Sequence, residues 1–232
     1  MNPKLTAIQR LRIQTRHKVS IENYGYQPQA LFWSTQAIQE IRFKKLLEIL
    51  PKTFFKSDSL EDDQAWSLLD VGCGFADLHR YMVKQQLFPD YTGIDVSPDM
   101  VRGAKGMAPE LNVFEGELSD FDYVAQQFDY VMLSGALNEV VETAVEGLAN
   151  QQGDYAKLAI RKMYEISHLG VAFNLLDRRF AWHQTRNDLQ SFYPQEIIEY
   201  CQSFASQVTL IEGYLENDFT VYLHKQPSGH KG

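Results

Sequence analysis

Two glycines one residue apart follow a carboxylate in Leu69-Asp70-Val71-Gly72-Cys73-Gly74-Phe75-Ala76-Asp77. Glycine lets the backbone turn tightly and lets a ligand approach it closely. A helix that begins after such a turn directs its free N–H groups at whatever lies there. Asp95 stands 21 residues beyond Gly74, at the end of the run YTGID. A carboxylate so placed can accept hydrogen bonds from both ribose hydroxyls of an adenosine. A dinucleotide turn requires a third glycine near the pyrophosphate, and here that position is Asp77. A carboxylate beside a pyrophosphate is repelled by a few kcal/mol if poorly solvated. Asp70 adds a second negative charge, which suits an ammonium. An adenosine carrying a cationic amino-acid end and no phosphate fits this pattern, and S-adenosylmethionine is such a cofactor.

These residues need elements to hold them. SLLDV (67–71), YTGIDV (91–96), LNVFEG (111–116), FDYVMLSG (128–135) and GVAFNLL (170–176) read as buried strands. Segments 75–87, 98–107, 139–149, 154–168 and 194–205 read as helices, with Pro98 suited to a first turn. Runs 208–215 and 219–225 form an antiparallel pair around Glu216-Asn217-Asp218. Strands alternating with helices predict an α/β, doubly wound, mostly parallel sheet with an antiparallel last strand. In such a sheet the ligand site lies at the carboxyl ends of the strands, near the point where strand order reverses.

Length and charge narrow the reading. A chain of 232 residues accommodates one α/β domain with an extension. Segment 1–50 is expected to be an N-terminal helical extension or lid, 51–225 the main domain and 226–232 a loose tail. Residues 31–50 read as a helix with Phe32, Ile38, Ile41, Leu46 and Leu50 on its apolar face. The net charge of −8 disfavours a protein that lives on nucleic-acid phosphates. Residues 1–18 nevertheless carry +5, leaving −13 on the remainder. Leu5, Ile8, Leu11 and Ile13 suggest one face of a helix there, docked on the acidic body. Such a basic start also weakly resembles an organelle transit peptide, or a segment that touches a membrane or an acidic partner. Cys73 and Cys201 cannot make a disulfide framework or zinc site, and no metal site is expected. No apolar run reaches the ~18 residues of a membrane span. The expected location is the cytoplasm.

In these segments the sequence resembles the class I S-adenosylmethionine-dependent methyltransferases over about residues 40–225, which implies a Rossmann-like sheet of seven strands with an antiparallel ending. Leu69 to Gly74 is similar to their first conserved segment, with Ala76 where many members have glycine. Tyr91 to Met100 resembles the second. The resemblance implies that Asp95 binds ribose and that Val96 and Met100 flank adenine. It implies that Glu117, beside Leu118, meets the adenine amino group, and that Ser134 and Gly135 lie beside the methionine portion. Asp70, Gly72, Cys73 and Gly74 complete the expected cofactor contacts. Segment 25–43 resembles a bacterial subset of undefined substrate, which implies that Arg42 pairs with the methionine carboxylate.

Methyl transfer mainly requires a nucleophile held in line with the methyl, with water excluded. Asn138 and Glu139 are the candidate catalytic residues, Asn138 to orient a substrate and Glu139 as a base, although Asn138 also suits a helix cap. Trp33, Asn138, Asn174 and Arg178 are the candidate substrate contacts. Tyr24, Tyr26, Phe32 and Trp33 could form a lid over the sulfonium. His168 is expected to be structural, and His79 and His183 have no identifiable partner. Methyltransferases of base amino groups share an Asp/Asn-Pro-Pro-Tyr/Phe segment where this chain has Ser134-Gly135-Ala136-Leu137. A small-molecule O, N or C acceptor is therefore expected. The alternatives are a cofactor-binding module without methyl transfer and a nicotinamide-dependent oxidoreductase. The oligomeric state is open.

Overall fold

The computed structural model describes residues 4–55, 65–140, 153–186 and 188–225. It begins with α1 (Ala7–Tyr24), a 3-10 turn (Pro28–Leu31) and α2 (Gln36–Leu47). There follow β1 (Ser67–Val71), α3 (Asp77–Lys84), β2 (Asp90–Asp95), α4 (Pro98–Met107), β3 (Asn112–Glu115) and β4 (Phe128–Ser134). The chain ends with α5 (Asp154–Ile166), β5 (Ser167–Asp177), α6 (Ala181–Gln184), β6 (Ser191–Phe192), α7 (Pro194–Gln202), β7 (Gln207–Ile211) and β8 (Asp218–His224).

One sheet runs in the order β3-β2-β1-β4-β5-β8-β7, with the two-residue β6 beside the end of β5. β1, β2, β3, β4 and β5 pair in parallel, while β8 is antiparallel to both β5 and β7. This is the expected Rossmann-like sheet with an antiparallel last strand, but with eight strands in place of seven, because the two-residue β6, like α6, lacked a sequence signal. Alternation along the strands sends side chains to two cores. Leu69, Val71, Val131, Leu133, Val171 and Phe173 pack under α5 and α7. Leu68, Met132 and Ala172 pack with Met82 of α3 and with Phe43, Leu46 and Leu47 of α2.

The N-terminal half departs from expectation in two places. α2 starts only after Thr35, whose side chain caps it by accepting from the Ile38 N–H. Phe32 has left-handed backbone and is exposed, as is Ile41, so neither lies on the buried face. Leu5 just before α1 and Ile13 within it are buried, but Ile8 and Leu11 are 71% and 63% exposed. The helix docks through Ile13 and also through charge. Arg10 reaches Glu117 and Asp120 at 2.7 and 2.6 Å, and Arg16 lies 3.3 Å from Glu139. Of the expected helix 139–149, Glu139 forms an isolated bridge with Leu189, and residues beyond 140 lie outside the described residues, as does the tail 226–232. Among the described residues no helix is long and apolar enough to cross a membrane.

Candidate active site

The strand order reverses between β1 and β4, and the turns after these strands meet there. Gly72 has φ +70°, and a Cβ on it would strike the Ala136 side chain. The two turns can touch only because that position is glycine. The N–H groups of Gly72 and Cys73 donate to the Ile94 carbonyl at 2.8 and 3.0 Å, tying the turn to β2. Asp95, at the end of β2, is buried and accepts twice, from the Gly74 N–H and the Ser97 N–H, both at 2.9 Å. A carboxylate has about four lone-pair positions, so each oxygen retains capacity for a ligand hydroxyl. Ser97 then caps α4.

Asp70 is 2% exposed, and the Tyr91 hydroxyl donates to it at 2.8 Å. Burial pushes its carboxyl up to about 7, against the pull of the Tyr91 hydrogen bond and with help from the Asp95 charge. Such a carboxyl favours a cation in its vicinity. Cys73 is buried between these carboxylates; burial and their charge raise its thiol far above the ordinary range, so it fills space as a neutral group. Asp77 is less provocative than its sequence position suggests. Arg80 pairs with it and the Gln39 amide donates to it at 2.9 Å. Its charge is therefore largely compensated, and repulsion of a pyrophosphate is a weaker argument than the sequence implies.

These groups open on one cavity of about 1300 Å³ that runs from the Asp95 turn to α6. Single small-molecule pockets usually occupy about 300–1,000 Å³. α1 forms one wall. Val96 packs against Leu5 and Ile13, and Met100 against Ala30, Ile21 and Leu31. Leu118 and Glu117 also line the cavity, but the Glu117 carboxylate is occupied by the chain itself. It accepts from the Leu5 N–H at 3.0 and 3.1 Å, from Arg10 at 2.7 Å and from the Tyr155 hydroxyl at 3.0 Å. A backbone N–H thus stands where an adenine amino group was expected.

The opposite end departs further from the sequence reading. Arg42 lines the cavity, but it is buried, ion-paired with Asp218 and stacked 4.5 Å from the Trp33 ring. Trp33 in turn covers Gly135, whose φ of +77° and lack of Cβ admit the ring. Glu139 lies 3.3 Å from Arg16 and 3.8 Å from His17. Asn138 accepts from the Leu176 N–H at 3.3 Å and bridges the turn after β4 to the end of β5. Asn174 is wholly buried. Its amide oxygen accepts from the Gly135 N–H at 3.1 Å, and its nitrogen lies 3.4 Å from the Ser134 hydroxyl. It shapes the β4 turn from inside the sheet and does not line the cavity. Arg178 is exposed, lies over Tyr193 and is also absent from the lining. The four aromatics do not form one lid. Tyr26 packs on Phe75, while Phe32 stacks under Arg16 at 4.2 Å. His168 lies 3.2 Å from Asp129 at the opposite end of the sheet.

Sequence reasoning did not place His183. α6 returns its ring to the last residue of β5, where a ring nitrogen lies 2.7 Å from the Asp177 carbonyl. The ring is 2% exposed and belongs to a cavity-lining residue.

An open parallel sheet, a glycine turn at its reversal point and an acid closing the next strand are the features by which open α/β sheets bind nucleosides. Comparison with known proteins narrows the class. The family model described as "Methyltransferase domain" matches residues 68–152. The Mycobacterium tuberculosis protein named "Putative methyltransferase Rv1506c" is 29% identical over 165 residues, covering 69% of this chain and 93% of that protein. A SAM-dependent methyltransferase from Archaeoglobus fulgidus shares the fold with a TM-score of 0.57 at 10% identity, over 82% of this chain and 95% of that one. Magnesium protoporphyrin IX methyltransferase from Synechocystis PCC 6803, solved with bound SAH, does so with a TM-score of 0.56 at 10% identity, over 84% and 89%. Residues 68–152 thus match a methyltransferase domain, and the sheet has the fold of solved S-adenosylmethionine-dependent methyltransferases.

Proposed function

We propose that this chain transfers a methyl group from S-adenosylmethionine to a nucleophile on a small molecule in the cytoplasm. The observation that carries the reading is the continuity of one 1300 Å³ cavity from the Asp95 turn to the Trp33–Gly135 end. It exceeds the usual single-ligand volume, leaving space for an acceptor beyond the cofactor. Bound there, the cofactor supplies a methyl group on a positively charged sulfur.

The chain's own residues then have distinct tasks. Asp95 is held by two backbone N–H groups with its free lone pairs toward the cavity, and we assign it to the ribose hydroxyls. Asp70 provides negative charge for the ammonium, and Val96 and Met100 provide apolar walls for the adenine. Trp33, fixed between Gly135 and Arg42, gives the acceptor end a rigid aromatic surface and excludes water. Arg42 keeps Trp33 in place. A module that binds the cofactor without transfer is the competing reading, and it predicts no acceptor space.

Titration calorimetry with S-adenosylmethionine, S-adenosylhomocysteine and NAD tests the reading. Micromolar binding of the first two and none of NAD is expected. Asp95→Asn retains one acceptor oxygen but loses the charge, and affinity should fall at least tenfold, or about 1.4 kcal/mol. Unchanged affinity in a folded Asp95→Asn protein would remove Asp95 from the ribose.

A further inference from the structure

Apart from Arg42, whose Nε is ion-paired with Asp218, three cavity-lining side chains carry buried polar atoms with no hydrogen-bond partner among the described residues: His17 Nδ1, Ser20 Oγ and His183 Nε2. Buried polar groups are rarely left unpaired, because each costs about 1–3 kcal/mol. His183 is the most constrained. Its Nδ1 is 2.7 Å from the Asp177 carbonyl, which can only accept. The neutral ring must therefore carry its proton on Nδ1 and a bare lone pair on Nε2. His17 has no such fixed tautomer, since its other nitrogen lies 3.8 Å from the Glu139 carboxylate, too far for a hydrogen bond.

From this geometry we propose that His183 is the general base of the acceptor subsite, and that the acceptor is a flat ring bearing a protonated O–H or N–H nucleophile. The inference rests on the methyl-transfer reading above. The ring requirement follows from Trp33 and Trp182, which line the same end, Trp182 with its centroid 5.6 Å from the His183 ring. In the step, the acceptor's lone pair forms the bond to the methyl carbon. The carbon–sulfur bond breaks with its electron pair passing to sulfur, and the acceptor's proton passes to His183 Nε2. The sulfonium charge is lost and the imidazolium charge appears, so the total is conserved. The Asp177 carbonyl stabilises the imidazolium through the Nδ1–H. The charged groups acting on His183 are Arg42 of α2, Arg186 just beyond α6 and Asp177 of β5. Burial, opposed by the Asp177 carbonyl and supported by the Arg42 charge, holds the ring below its ordinary value, which keeps it neutral near pH 7.

The test uses ¹⁵N-histidine-labelled protein saturated with S-adenosylhomocysteine, whose binding is first verified by calorimetry. Failure of that binding would count against the methyl-transfer reading itself. With it in place, the spectrum should show His183 as the Nδ1–H tautomer. Its Nε2 resonance should move upfield on adding phenol, the O–H probe, or indole, the N–H probe, and the responding probe distinguishes the two acceptors. The same addition to His183→Gln should leave no such signal. Methyl transfer to the responding probe should fall about 10²–10⁴-fold in His183→Gln, with loss of the rise through the His183 titration seen in the wild type. An Nε2–H tautomer, or an Nε2 resonance unmoved by both probes in the loaded wild-type protein, would overturn the proposal.

Discussion

Asp70 sets a conflict between stability and binding within one side chain. Its folded carboxyl titrates at about 7, whereas the ordinary value is 3.8. Between those values the unfolded chain has lost the proton and the folded chain retains it. Stability is therefore full below the unfolded value and declines as pH rises toward 7, by at most ~1.4 kcal/mol per pH unit. Asp218, also raised by burial despite Arg42, acts in the same direction. Asp70→Asn removes one of these titrations and keeps an oxygen to accept from Tyr91. The ligand-free variant should lose less melting temperature than the wild type between pH 5 and 7.5, and should bind S-adenosylhomocysteine more weakly at pH 7.5. Parallel melting curves against pH would show that Asp70 is already ionised in the fold.

At the scale of elements, the strand–turn–helix units around the site depend on a few backbone positions. Gly72→Ala places a methyl into Ala136 at a φ of +70°, so β1 and β4 can no longer bring their turns together. We expect a loss of several kcal/mol in urea unfolding and no cofactor binding; a stable variant that binds would show the turns to be adjustable. α1 offers a finer test. The Leu5 N–H occupies both oxygens of Glu117, and proline at that position has no N–H to give. If Leu5 and an adenine amino group compete for Glu117, Leu5→Pro should tighten S-adenosylhomocysteine binding severalfold while speeding hydrogen exchange in residues 7–13. Equal affinity would place the adenine elsewhere. These elements differ in how legible they were. β1, α4 and β4 fall within a residue of their expected bounds, because alternation, Pro98 and the glycines are local signals. The faces of α1 and α2 were legible only in part: Leu5, Ile13, Leu46 and Leu50 are buried as expected, but Ile8, Leu11 and Ile41 are exposed, while Gln9 and Arg42 are buried by partners far along the chain. The glycine turn and Asp95 were readable for the same local reason. His183 was not, because its meaning comes from α6 folding back onto the Asp177 carbonyl.

For the whole molecule, the uneven charge of the sequence becomes a clasp. The basic first segment lies across an acidic body, with Arg10 on Glu117 and Asp120, and Arg16 near Glu139 and Asp188. Each partly exposed pair contributes only about 0–1 kcal/mol, but several act on one helix. Screening shortens the reach of such charges to ~10 Å at 0.1 M salt and ~3 Å at 1 M. Raising sodium chloride from 0.05 to 0.5 M should therefore accelerate hydrogen exchange in α1 and leave the amides of β1 and β4 unchanged. Because α1 is a wall of the cavity, the same change should affect ligand entry. Simple electrostatic steering of a cationic ligand toward an acidic protein predicts slower association at high salt. A clasp that must open predicts faster association, since its closed state is weakened. Stopped-flow measurement of S-adenosylmethionine binding across that salt range separates the two. An association rate that rises with salt, together with exchange confined to α1, is the expected result; a falling rate would mean that ligand enters past a helix that stays docked.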